Sequence, residues 1–162
     1  MMNNEDRVLA IAPYSGGLGY AVIEWPLSFV AGGVKNVPVK HEDKIVMNLV
    51  RLLTHYRPTT IVLADGGDSQ TRRAAQLKNL LCHIVRHEAT AKVPVRTYSR
   101  NQVRDLLNLD PKATKHDIVM SVAMQLTELA PRFPSRRRCG HKEDYHMPMF
   151  EAVVLALAHL SK

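Results

Sequence analysis

Apolar and polar positions change period several times along the 162-residue chain, and each change marks an element. Residues 8–14, "VLAIAPY", form a short β-rich run. Residues 15–19, "SGGLG", read as a turn, because glycine tolerates positive φ. Residues 20–25, "YAVIEW", read as the return strand, with Ala21 and Ile23 on one face and Val22 and Glu24 on the other. Residues 27–34, "LSFVAGGV", are a third strand that two glycines should stop. Over 41–57 the period lengthens: Ile45, Leu49, Leu52 and Leu53 share one helical face, His55 and Arg57 suit the C-terminal dipole, and Pro58 ends the helix.

Residues 59–65, "TTIVLAD", have the continuous apolar character of a buried strand. Asp68 or Ser69 is placed to cap a helix over 70–88, with Ala74, Leu77, Leu81 and Ile84 or Val85 as its apolar stripe. A strand over 93–99 and helices over 100–107 and 114–129 follow, the latter opened by a capping box of Thr114 and Asp117. Residues 131–146 are a polar, basic loop, and 147–160 a helix apolar enough to be largely buried. The order β-β-β-α-β-α-β-α-α-α predicts an α/β fold: an antiparallel three-stranded meander joined to parallel strands in one mixed sheet, flanked by helices. With no linker or internal repeat, residues 1–162 read as a single domain.

Composition narrows the class. Hydrophobic residues make up 46% and aromatics only 6%, so the core must be aliphatic. The longest apolar run is shorter than the roughly 20 residues that span a bilayer. The polar start "MMNNEDR" lacks the basic and apolar regions of a secretory signal, so a cytoplasmic protein is expected. On that expectation Cys82 and Cys139 are free thiols rather than a disulfide. Lys plus Arg total 22 against 15 Asp plus Glu, a net charge of +7, which favours a polyanionic partner, nucleic acid first.

The basic candidates for such contacts are Arg72, Arg73, Lys78, Arg96, Arg100, Arg104, Lys115 and the loop run Arg136, Arg137 and Arg138. Each alone also fits a solvated helix face; the triple arginine is the clearest electrostatic footprint. "SGGLG" is not a P-loop, since no helix and no Lys-Ser/Thr follow it. Tyr14 and Tyr20 either stack on a base or pack. Cys82, His83 and His87, and Cys139, His141 and His146, match no standard zinc spacing.

The order of these motifs resembles the RNase H-like fold, and more narrowly the RuvC family of Holliday-junction resolvases. "VLAIAPYSGGLGYAVIE" is similar to the family's opening hairpin, "RPTTIVLAD" to the strand that ends in its second carboxylate, and "VPVRTYSRNQVRDLL" to the next strand and helix. "ATKHDIVMSVAMQL" resembles the segment with a phosphate-contacting lysine, and "FEAVVLALAH" the last helix, with its paired aspartates. The resemblance is collinear over nearly the whole chain. It implies DNA, including a four-way junction, as partner, a homodimer as assembly and Mg²⁺ as cofactor. Hydrolysis would then use two ions about 3.5–4 Å apart, held by carboxylates.

Four carboxylate positions carry that chemistry in the family. Here the first falls on Ala12 and the second on Ala64, with Asp65 one residue later. Strand alternation turns Asp65 away from Ala64 unless the strand ends there, as Gly66 and Gly67 would allow. Of the helical pair, one falls on Pro148 and the other on Glu151. Asp144 precedes Glu151 by seven residues, two helical turns, but Pro148 argues for a helix that starts near residue 147. The expectation is therefore a DNA-binding protein with a degenerate nuclease centre. The alternatives are a Mg²⁺-dependent endonuclease with a relocated site of Asp65, Asp68, Asp144 and Glu151, and a non-catalytic scaffold. Otherwise Asp65 and Asp68 are turn and cap residues and Asp144 a loop charge, while Glu151, in so apolar a helix, requires a partner. By resemblance, Lys115 approaches a phosphate and Arg100 and Arg104 lie on the DNA-facing side.

Overall fold

The computed structural model describes residues 6–14, 16–38, 40–65, 75, 79–80, 82–83, 86, 92–132 and 146–162. Five strands form one sheet in the order β3-β2-β1-β4-β5. The meander is β1 (Arg7–Tyr14), β2 (Gly17–Glu24) and β3 (Ser28–Lys35), paired antiparallel. β4 (Thr60–Ala64) lies parallel to β1, and β5 (Val95–Tyr98) parallel to β4. The helices described end to end are α1 (Glu42–Tyr56), α2 (Arg100–Leu106), α3 (Lys115–Ala123) and α4 (Met147–Leu160). The expected mixed α/β sheet with flanking helices is the fold observed.

Strand alternation divides the core in two. Val8, Ala10, Ala12, Ala21, Ile23, Val62 and Tyr98 face α4 and α3. Leu9, Ile11, Leu18, Val22, Ile61 and Leu63 face α1, whose Ile45, Leu49, Leu52 and Leu53 are buried as the periodicity requires. α1 ends at Arg57, in a left-handed conformation, whose N–H donates to the Leu53 carbonyl. Arg7 ties this end of the sheet together: its guanidinium pairs with Glu24 and donates to the Tyr56 carbonyl at 2.6 Å. α2 opens on a reciprocal box between Ser99 and Gln102, α3 on the expected one between Thr114 and Asp117.

Three expected boundaries move, and packing explains each. Gly17, Leu18 and Gly19 belong to β2 rather than to the turn. Gly17 has φ +151, and a Cβ there would lie 1.9 Å from the Lys35 carbonyl oxygen. At Gly19 a Cβ would lie 2.1 Å from the carbonyl carbon of Pro148, so these glycines mark close backbone approach inside a strand. Gly32 and Gly33 do not stop β3, which continues to Lys35, and the Tyr20 ring lies against Gly33. The helix expected over 114–129 breaks after Ala123 into a turn and a 3₁₀ helix, Thr127–Arg132; Leu126, just before it, and Leu129, within it, are buried. The stripe expected on helix 70–88 (Ala74, Leu77, Leu81, Ile84, Val85) and its cap Asp68 or Ser69 lie outside the described residues, although 75, 79, 80, 82, 83 and 86 are helical and Leu80 is buried. No helix among the described residues is long and apolar enough to cross a membrane.

Gly19→Ala should cost about 3 kcal/mol, because the new methyl must displace helix backbone in a packed interior. Gly16→Ala meets mainly the movable Tyr14 ring and should stay within about 0.5 kcal/mol of wild type. Urea unfolding midpoints of the two variants measure the difference.

Candidate functional site

α4 carries Pro148 and Glu151, two of the positions at which the resemblance expects carboxylates, and Ala12 and Ala64, at the other two, pack beneath it. Every residue from Met147 to Ala158 is buried except Glu151, the helix's one acidic residue. Pro148 sits in the first turn, as its fixed φ favours, and the helix begins at Met147 as expected. The Pro148 backbone rests on Gly19, and Gly19 is the cross-strand partner of Ala12. Ala12 is 3% exposed within the core beneath α4. Ala64 packs half-buried against the same cluster. This edge of the sheet is the carboxyl end of the parallel strands β1, β4 and β5, where ligands of open α/β sheets bind.

Glu151 finds the partner its apolar helix demands. Its Oε1 lies 3.0 Å from the Nζ of Lys115, the first residue of α3. The side chains retain 25% and 33% exposure, so the pair sits at the rim, screened in part by water. β4 ends at Ala64, which leaves exposed Asp65 at the strand terminus, its N–H donating to the Tyr98 carbonyl at 3.0 Å. Arg100 begins α2 immediately beyond β5 and is exposed. Arg104 is half-buried, and its guanidinium donates to the Ala113 carbonyl at 2.8 Å and to Asn101 at 3.2 Å, so it fastens the α2–α3 connection. Asp68, Asp144, Arg136, Arg137 and Arg138 lie outside the described residues.

A pair of Mg²⁺ ions needs several carboxylate oxygens and a defined spacing. Ala12 and Pro148 supply none, and Glu151 already faces an ammonium group. Among the described residues no group of three or more Asp, Glu, His or Cys side chains could hold a metal ion. The described residues therefore do not fit a two-ion centre. His83 engages Glu42 at 3.3 Å, and Cys82 is a free, exposed thiol. Tyr14 donates to Asn36, while Tyr20 packs on Gly33 beneath the Lys35 ammonium.

Comparison with known proteins gives one clear result. No protein-family model and no curated protein sequence matches the chain. Solved structures do. A Thermus thermophilus RuvC in complex with a Holliday junction substrate superposes with a TM-score of 0.70 at 21% identity, over 97% of this chain and 94% of that one. A second T. thermophilus RuvC structure gives 0.65 at 19% identity, over 96% and 93%. The fold is that of RuvC.

Two site features escaped the sequence reading. Arg132, at the end of the 3₁₀ helix, places its guanidinium 3.9 Å from the Met149 sulfur and so adds a cation to the RuvC-like edge. It falls within residues 131–146, whose basic composition is the signal that could have found it. The other is Tyr98, whose hydroxyl meets His159 Nδ1 at 2.7 Å beneath the Lys162 ammonium. Nothing in the spacing links residues 98 and 159.

Burial holds the His159 imidazole below its ordinary pKa, and the Lys162 and Arg96 charges push the same way, against a smaller opposing pull from Asp6. The folded state thus prefers neutral His159, while the unfolded chain takes up a proton near the ordinary value of 6.5. The stability from this group is present above that value and is lost as pH falls from it towards the folded pKa. Urea midpoints should decline over that acid range in wild type and decline less in His159→Gln.

Proposed function

We propose that this protein binds DNA, branched DNA by preference, through a RuvC-like domain that lacks efficient two-metal cleavage. One observation carries the reading: the acid at the RuvC-like edge, Glu151, is paired with Lys115, while Ala12 and Pro148 stand at adjoining positions where ligands would be needed. The likeness to a RuvC seen with a Holliday junction supports the choice of partner, and the net charge of +7 supports a polyanion. Lys115, Arg100, Arg132 and the triple arginine Arg136, Arg137 and Arg138 are the phosphate contacts on this reading. Arg104 acts behind them by holding the α2–α3 connection. Residues 1–162 act as one domain, two copies pair on the junction, and the setting is cytoplasmic.

A second reading rests on the retained Glu151 and on Asp65 at its strand end: a Mg²⁺-dependent endonuclease with displaced ligands. One experiment separates the two. A labelled four-way junction is titrated with protein at several salt concentrations, then incubated with Mg²⁺ or Mn²⁺. Binding should weaken linearly on a log–log salt plot, by about 0.9 in slope per phosphate neutralised, with no incision. Metal-dependent incision that Glu151→Ala abolishes would establish the nuclease instead. Absent or salt-insensitive binding would leave the fold as a scaffold.

A further inference from the structure

Lys115 stands where helix electrostatics disfavour it. It is the first residue of α3, and the positive end of a helix dipole repels an ammonium group. The cap has no need of it, since Thr114 and Asp117 satisfy each other's backbone N–H groups. Its position makes sense through Glu151, which lies across from it at 3.0 Å. The carboxylate belongs to a helix whose other residues from Met147 to Ala158 are buried. Lys115 is the cation that the structure sets against this carboxylate, and the described residues offer no site that would bring a divalent one.

The pair is also open to exchange. A third of the Lys115 side chain reaches solvent, and rim pairs of this kind are weakly held. A carboxylate oxygen and a phosphate oxygen are alternative acceptors for one ammonium group. On the DNA-binding reading above, we propose that the Lys115 ammonium is the resident cation of this site. It neutralises Glu151 in place of a divalent ion, and exchanges Glu151 for a backbone phosphate when DNA docks. Glu151 is then an internal competitor that sets affinity, and metal has no part in binding.

Two measurements test this, one of which uses no DNA. Mn²⁺ titrated into wild-type protein and followed by electron paramagnetic resonance should show no binding that Glu151→Gln removes. Junction affinity, read by fluorescence anisotropy, should be equal in EDTA and in Mg²⁺. Glu151→Gln should tighten junction binding roughly threefold to tenfold, whereas Glu128→Gln, an exposed acid on the 3₁₀ helix, should change it little. Lys115→Met, which keeps the apolar stem, should weaken binding and lower the salt slope by about 1. In the Lys115→Met background, Glu151→Gln should lose most of its effect, because the acid acts through the ammonium.

Glu151-dependent Mn²⁺ binding by the wild type, or additive effects of the two substitutions, would overturn the inference while junction binding stands. Failure of the wild type to bind the junction would overturn the reading of function and the exchange with it. The Mn²⁺ titration still decides whether Lys115 is the resident cation. Thermal melts of each variant separate lost folding from lost contact.

Discussion

Everything at this site depends on how α4 is covered. From Met147 to Ala158 the helix exposes only one side chain to a meaningful degree, so it must be buried against a complete sheet face. β1, β2, β4 and β5 supply that face, with Ala10, Ala12 and Ala21 small enough to let the helix approach. At Gly19 the approach becomes backbone on backbone. That contact fixes where the helix starts, how Pro148 fits its first turn, and therefore where Glu151 emerges. The ion pair with Lys115 is the downstream result of apolar packing rather than its cause. A rim pair contributes roughly 0–1 kcal/mol, far less than the core beneath it.

The same constraint bears on catalysis. Carboxylates gathered without ions repel one another, and each must be desolvated. Ala12 and Pro148 impose neither cost, and they let the helix end settle directly onto β2. An aspartate introduced at Ala12 would enter an environment with 3% exposure, under the helix, where an unpaired charge is costly. On the binding reading, the small residue at 12 and the proline at 148 belong to one solution, in which packing takes over the work of metal coordination.

Much of the fold was legible because period and punctuation agreed. α1 announced itself through Ile45, Leu49, Leu52 and Leu53, and Pro58 set its limit. α4 announced itself through unbroken apolarity and Pro148. Two of the three misplaced boundaries came from glycine. Gly17, Gly19, Gly32 and Gly33 look like punctuation in one dimension, yet serve contacts with Lys35, Pro148, Phe29 and the Tyr20 ring that exist only after folding. The break after Ala123 was hidden for a related reason: Leu126 and Leu129 keep a nearly helical spacing, which a 3₁₀ turn can also bury.

The site was legible residue by residue but not as pairs. That Glu151 needed a partner followed from the cost of burying a carboxylate in an apolar helix. That the partner is Lys115 did not, since the two residues are joined only by the way α3 crosses beside α4. Here local rules and tertiary demand diverge: the dipole of α3 argues against a lysine at its first position, and Glu151 argues for one. Such conflicts between levels concentrate where a sequence answers to something other than its own stability. Lys115 is one. Arg100, also a cation at the first position of a helix and exposed beyond β5, is another at the same edge. Two helices thus each begin with a positive charge on the carboxyl side of the parallel strands, against the preference of their own dipoles, and the DNA-binding reading is what would give both charges a partner.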